Sequence, residues 1–311
     1  MRTSSRFVVL PAALTILAML VGCTGPGASV APSEEESAAG SMAASTEPDE
    51  CTAENLETKQ EGVLTIGTDN PAFPPYFQPD DDTPDPWELG DPTNGEGFES
   101  AVAYAVAEEL GFSDDQVEWI PVPFDNSFAP GPKEFDYYLA QVSYTPERAE
   151  AVDMSDGYYF VNQALVARQN SPIAGVSSVD EVAQYRLGVA QGTTSLQYIE
   201  EVIQPEQEPR VYNDNTGAIN GIRAEQVDGI VVDLPTAFFI TAVQFTNGVI
   251  VGQFPSQGAD EEQEHFSLVL EQDSPLTDCV NQALAALTDN GELEQITDDW
   301  LSEAAGAPVL E

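Results

Sequence analysis

The stretch VSYTPERAEAVDMSDGYY, residues 142–159, sets a small polar segment and an arginine, Arg148, where a strand end gives way to a loop or helix. Cations are scarce in this chain. Nine Lys and Arg stand against 54 Asp and Glu, and two of the nine, Arg2 and Arg6, flank the start of an apolar leader. An arginine kept five residues after Ser143 in so acidic a chain points to an anionic partner. The guanidinium fork matches the two oxygens of a carboxylate in a bidentate pair. On spacing alone a neighbouring glutamate, Glu147 or Glu150, serves equally well, in an exposed ion pair of little energetic value.

Outward from this stretch, strand-like and helix-like patches alternate, which predicts an α/β architecture. Residues 62–68 (GVLTIGT) read as a short apolar strand running into a proline-rich loop at 71–79. Residues 98–110 carry Phe98, Val102, Val106 and Leu110 at helical spacing and stop at Gly111. Strands follow at 117–122, 137–143 and 161–167. A new unit begins at 186–190 (RLGVA), continues with a helix at 194–202, a strand at 210–212 and a helix at 216–224, and reaches a strand at 229–232. A late strand at 269–270 and helices at 275–288 and 291–301 close the order, with no internal repeat. Two βα units separated by one strand, then a return, predict two lobes joined by two crossings with a cleft between them. Ligands on open α/β sheets lie beyond the carboxyl ends of strands. Four polar groups fall at such ends: Asp69, residues 141–143 with Arg148, residues 191–194 (QGTT), and Asp233. Asp69 and Asp233 could equally cap helices or loops, QGTT could be a glycine turn with a cap, and Phe73, Tyr76, Phe77 and Phe124 could be core.

The N-terminus reads as a secretory signal over residues 1–22, too short for an ordinary membrane span. It ends in Leu-Val-Gly-Cys at 20–23, which resembles the bacterial lipobox and marks Cys23 as the lipidated residue. Residues 23–50 are rich in Ser, Ala, Gly, Pro and Glu and form a flexible tether. The expected location is extracytoplasmic, on the outer face of the cell membrane. With Cys23 lipidated, Cys51 and Cys279 remain as a pair in an oxidising compartment, which favours a disulfide over two free thiols. Closing so long a loop contributes about 4–5 kcal/mol in the chain-entropy account.

The formal charge of −45 becomes −47 once Arg2 and Arg6 leave with the signal. Such a surface repels nucleic acid and anionic headgroups, so neither is an expected partner. Asp80, Asp81, Asp82 and Asp85 could offer oxygens to calcium, but they lack the spacing of a calcium loop and read as a solvated loop. No zinc-ligand cluster or nucleophile-elbow sequence is present, and His265 is the sole histidine, so no metal or cofactor is expected.

In order, GTDNPAFPPYF, GFESAVAYAVAEEL, FDYYLAQVSYTPERAEAVDMSDGYY, VAQGTTS, DGIVVDLPTA and NQALAALTDNGELEQITDDWL resemble the extracytoplasmic solute-binding proteins of family 3, which feed amino acids to ABC transporters. The resemblance covers residues 64–301. It implies a two-lobed periplasmic-binding-protein-like fold of type II, with lobe 1 at 51–164 and 266–311 and lobe 2 at 165–265. The strand pair at 161–167 and 265–270 would be the hinge. It further implies a monomer that binds a free amino acid and hands it to a membrane permease, with no reaction catalysed. Arg148 would take the ligand carboxylate, with Thr194 and the 193–194 helix start at Thr193 assisting. Asp233 would hold the ammonium, with Ser143 and the Gln141 carbonyl beside it. Phe73 and Phe124 would wall the side chain, and Asp69 lies where relatives touch a polar one. Residues 124–135 and the acidic, proline-rich stretch 78–95 depart from the family pattern and flank the expected side-chain pocket, so ligand identity does not carry over. Two rivals stay open: a cyclohexadienyl-dehydratase-like enzyme, which would need a buried glutamate in the cleft, and a ligand-sensing subunit.

Overall fold

The computed structural model describes residues 51–256, 263–301 and 307–311; the leader, the tether and Cys23 lie outside them. In chain order the first part holds β1 (Leu64–Thr68), α1 (Phe98–Glu109), β2 (Val117–Pro121), the short α2 (Phe124–Ser127), β3 (Tyr137–Tyr138), α3 (Pro146–Ala149) and β4 (Asp153–Met154). After β5 (Tyr159–Phe160) the chain crosses into β6 (Gln163–Arg168), α4 (Val179–Val182), β7 (Leu187–Ala190), α5 (Thr194–Tyr198), β8 (Arg210–Tyr212), α6 (Asn215–Arg223), β9 (Gly229–Asp233), α7 (Leu234–Phe239) and β10 (Gly248–Gln253). It returns through β11 (His265–Phe266) to β12 (Val269–Leu270), α8 (Thr277–Asp289) and α9 (Glu292–Leu301).

These strands make two five-stranded sheets, ordered β2-β1-β3-β12-β4 and β10-β6-β9-β7-β8. β1 lies parallel between β2 and β3, and β7 lies parallel between β8 and β9. β1 and β7 are buried at every position, as interior strands covered on both faces of a sheet must be. Phe98, Val102 and Val106 are fully buried on α1, which packs against α8 and α9. Each such side chain contributes about 1.5–3 kcal/mol by leaving water. The second lobe has its own core around Leu165, Val189, Ile199 and Val231. The expected mixed α/β, two-lobed architecture is the one observed.

Three details differ from the sequence reading. The strand at 137–143 is reduced to Tyr137–Tyr138 and an isolated bridge at Ser143 opposite Phe266, and between them Gln141 takes a left-handed φ of 53°, which breaks the extended run. The crossing ribbon is β5 against β11, with His265 opposite Phe160, while β6 already belongs to the second sheet from Gln163. Residues 307–311 do not stay with the first sheet. Val309 bridges Gln253 of β10, Gln253 N donates to Pro308 O (2.8 Å), Leu310 N donates to Gln253 O (2.9 Å), and Leu310 is 2 % exposed in the second core. The Cys51–Cys279 disulfide is present and ties the segment before β1 to α8. Among the described residues no helix is long and apolar enough to cross a membrane.

Candidate functional site

The strand ends converge on one cavity of ≈ 240 Å³ between the two sheets. Asp69 after β1, Phe73, Phe124 in α2, Gln141 after β3, Arg148 in α3, Thr193 and Thr194 at the start of α5, and Asp233 at the end of β9 all line it. Ser143 does not. Its hydroxyl donates to Glu264 Oε1 (2.7 Å) and accepts from Thr194 Oγ1 (3.3 Å), so it braces the wall from behind.

Arg148 is placed by local sequence. Thr145 caps α3 by accepting from Arg148 N (3.1 Å), and Pro146 supplies the fixed φ of a first turn. The side chain is 8 % exposed. Its NH1 donates to Ser143 O (2.5 Å) and its NH2 to Gly192 O (2.8 Å) across the cleft. These partners replace the Glu147 or Glu150 pairing that spacing alone allowed. The guanidinium also stands 4.4 Å from the Phe128 ring centre and 5.6 Å from that of Phe124, within cation–π range. Desolvation lowers its pKa to about 10, with Glu264, Asp233, Asp125 and Glu147 opposing, so it is a cation at neutral pH.

Gly192 is required where it stands. Its φ is +69°, and a Cβ there would come 2.4 Å from Asp125 Oδ1. The neighbouring Gln191 Nε2 donates to Asp125 Oδ2 (3.2 Å), a second contact across the cleft.

Asp233 does not cap α7, although α7 begins at the next residue. It accepts instead from Gln163 Nε2 (2.8 Å). Desolvation, reinforced by Glu264, raises its pKa to about 7 against the pull of that hydrogen bond and of Arg148. Asp69 accepts from Asn70 N (2.9 Å) and from the Phe124 N–H. Desolvation raises its pKa against those two bonds, and the like charges of Asp214 and Asp125 add to the rise. Two of these partners, Asp125 and Asp214, were not anticipated from sequence, yet both line the cavity. Asp214 follows β8, so the strand-end rule that singled out the others also applied to it; its side chain caps α6 through Gly217 N (2.6 Å). Residues 78–95 contribute nothing to the lining. They support it from outside: Asn70 Nδ2 donates to Pro86 O (2.8 Å), Asn70 Oδ1 accepts from Glu88 N (3.0 Å), and Ala72 N donates to Glu88 O (3.1 Å).

Behind Gln141 stands a carboxylate that the sequence did not flag. Glu99 is fully buried; Gln141 N donates to its Oε1 (2.6 Å), Gln141 Nε2 donates to its Oε2, and Tyr158 OH donates to its Oε1 (2.5 Å). Burial raises its pKa to about 7 against those three bonds. They hold Gln141 in its left-handed conformation and so shape the cavity floor.

Residues 64–303 match the family described as bacterial extracellular solute-binding proteins, family 3. The arginine-binding extracellular protein ArtP of Bacillus subtilis is 26 % identical over 221 residues, covering 70 % of this chain and 82 % of that protein. Among solved structures, an ancestral arginine-binding protein bound to arginine superposes with a TM-score of 0.62 at 25 % identity, covering 77 % of this chain and 98 % of that one. The ancestral amino acid-binding protein AncCDT-1, a precursor of cyclohexadienyl dehydratase, gives a TM-score of 0.60 at 25 % identity, with 76 % and 94 % covered. With that match spanning both lobes and a cleft of this construction between them, the chain belongs to the bacterial extracellular solute-binding proteins, family 3.

Proposed function

We propose that this chain is the substrate-binding subunit of an amino-acid ABC importer and that its ligand carries a cationic side chain. One observation carries the reading: Arg148 and Asp233 bound the same cavity, and each is held by neighbours other than the other. A desolvated zwitterion needs a fixed opposite charge at each end. Arg148 takes the ligand carboxylate, with Thr194 and Thr193 beside it; Asp233 takes the ammonium; Phe73 and Phe124 flank the side chain. Once Arg148 and Asp233 are matched by the zwitterion, the lining still holds Asp69, Asp125 and Asp214 and no further basic residue. Three carboxylates facing one pocket favour a guanidinium or ammonium side chain, and the names of the arginine-binding relatives agree. The lining carries no glutamate. Glu99 and Glu264 are engaged by Gln141, Tyr158, Ser143 and Gln163, which supports binding over acid catalysis. The wider reading keeps a lipid on Cys23, the tether at 23–50, a monomeric state and delivery of the ligand to a membrane permease.

A thermal-shift screen of the purified protein against the twenty amino acids tests this. Ligand at a hundredfold excess over Kd adds about 2.7 kcal/mol of stability. L-Arginine or L-lysine is expected to give the largest shift. A flat response from folded protein would sink the amino-acid reading, and a shift with neutral or acidic amino acids alone would sink the cationic part.

A further inference from the structure

The ammonium side of the cleft is supported by two residues outside its lining, one flanking each strand of the β5–β11 crossing ribbon. Gln163 opens β6 after β5, the outgoing strand, and lies opposite Asp233 in the β6–β9 register. Glu264 stands immediately ahead of β11, the returning strand of that ribbon. Gln163 is 2 % exposed, and its amide is committed in full. Nε2 donates to Asp233 Oδ1 (2.8 Å) and to both oxygens of Glu264 (3.1 and 3.2 Å), while Oε1 accepts from Ser195 Oγ (2.5 Å). The carboxylates, which can only accept, fix which end of the amide faces them, and the serine hydroxyl, which can donate, takes the other end. Glu264 Oε1 also accepts from Ser143 Oγ (2.7 Å), which links it to the loop bearing Arg148.

We propose that Gln163 and Glu264 are positioning residues for the ligand's ammonium: Gln163 fixes the rotation of the Asp233 carboxylate, and Glu264 sets the charge against which that carboxylate works. The proposal rests on the reading of Asp233 as the ammonium partner. Because Gln163 follows β5 and Glu264 precedes β11, Asp233 is linked by side-chain bonds to both ends of the crossing ribbon about which the lobes move.

The two residues act on Asp233 with opposite sign. The charged and titratable groups facing it are Glu264, Arg148, Glu99 and the phenols of Tyr76, Tyr158 and Tyr159. Glu264 makes its carboxylate harder to ionise, and the Gln163 hydrogen bond makes it easier. An ammonium must meet the ionised form, so affinity falls about tenfold per pH unit below the midpoint at which Asp233 takes up a proton. Removing the Glu264 charge should move that midpoint down. Removing the Gln163 donor should move it up.

The experiment is calorimetric titration of the purified full chain with L-arginine from about pH 5 to 9, for wild type, Glu264→Gln and Gln163→Met, with Asp233 followed by carboxyl carbon NMR in the ligand-free proteins. The expected result is a lower midpoint in E264Q, a higher one in Q163M, and at least tenfold weaker binding by Q163M on the alkaline side. Midpoints unchanged from wild type, or displaced in the same direction, overturn the proposal, since a general loosening of the fold cannot move them apart. E264Q keeps an oxygen for Ser143 and decides the question alone if Q163M does not fold: a lowered midpoint upholds the proposal and an unmoved one overturns it. If wild type takes up no amino acid, the reading of the cleft fails separately, and the NMR titration still shows whether Gln163 and Glu264 set the state of Asp233.

Discussion

At the residue scale, Arg148 and Glu99 carry opposite lessons. Arg148 stood out in the sequence because cations are rare and because it follows a small polar segment at a strand end; the structure adds that Thr145 caps its turn. Arg148→Ala should weaken amino-acid binding by about 2–5 kcal/mol, the cost of leaving a desolvated charge without its partner, and leave the fold intact. Retained affinity in calorimetry would show that the carboxylate goes elsewhere. Glu99 was silent, since a glutamate at a helix start is usually solvated, and only the packing of Tyr158 and Gln141 around it makes it central. Its carboxyl is raised from 4.5 to about 7 by burial. The folded protein therefore keeps a proton that the unfolded chain has already lost. That contribution is complete below pH 4.5 and declines as pH rises through about 7, at up to about 1.4 kcal/mol per pH unit. Urea unfolding across this window should show stability falling with pH more steeply in wild type than in Glu99→Gln, where Asp233, Asp69 and Asp136, all raised by burial, keep part of the slope. Parallel lines would mean that Glu99 does not titrate there.

At the element scale, apolar runs and helical spacing placed β1, α1, β7, α6, β9 and the two last helices close to where they lie, because each buries a continuous face that its own sequence pattern encodes. Elements whose character depends on partners were not legible. The strand read at 137–143 is broken at Gln141, which Glu99 holds in a left-handed turn, and Gln163 reads as an ordinary strand residue until its register opposite Asp233 is known. The pairing of residues 307–311 with β10 belongs to the same class: a five-residue piece, Ala-Pro-Val-Leu-Glu, is too short to give a periodic signal. Leu310→Ala should lower stability by about 2–5 kcal/mol, the usual range for a buried leucine. A loss near zero by denaturant unfolding would show that the tail adds little to the second core. The Cys51–Cys279 link, anticipated from compartment and parity, closes a loop of 228 residues in sequence separation. Replacing both cysteines by serine should cost up to about 4–5 kcal/mol, and an unchanged unfolding midpoint would contradict the entropic account.

At the scale of the whole molecule, the two lobes touch across the cleft through Arg148 to Gly192 O, Gln191 to Asp125, Thr194 to Ser143 and Tyr76 OH to Thr236 (3.1 Å). Gly192 permits this approach. Gly192→Ala should hinder closure, so the fall in radius of gyration seen by solution scattering on adding ligand to wild type should shrink or vanish in the variant. An identical fall in both would remove Gly192 from the closing contact. Fold class, family and most strand-end residues of the cleft are legible in one dimension, because they follow from local hydrophobic period, turn chemistry and motif order. Packing in three dimensions adds that Ser143 supports the wall instead of lining it, that Asp125 and Asp214 join Asp69, and that Gln163 and Glu264 stand behind Asp233. The reason is physical: hydrogen bonds and like-charge contacts between residues tens to more than a hundred positions apart depend on sheet register and lobe approach, and neither leaves a periodic trace in the chain.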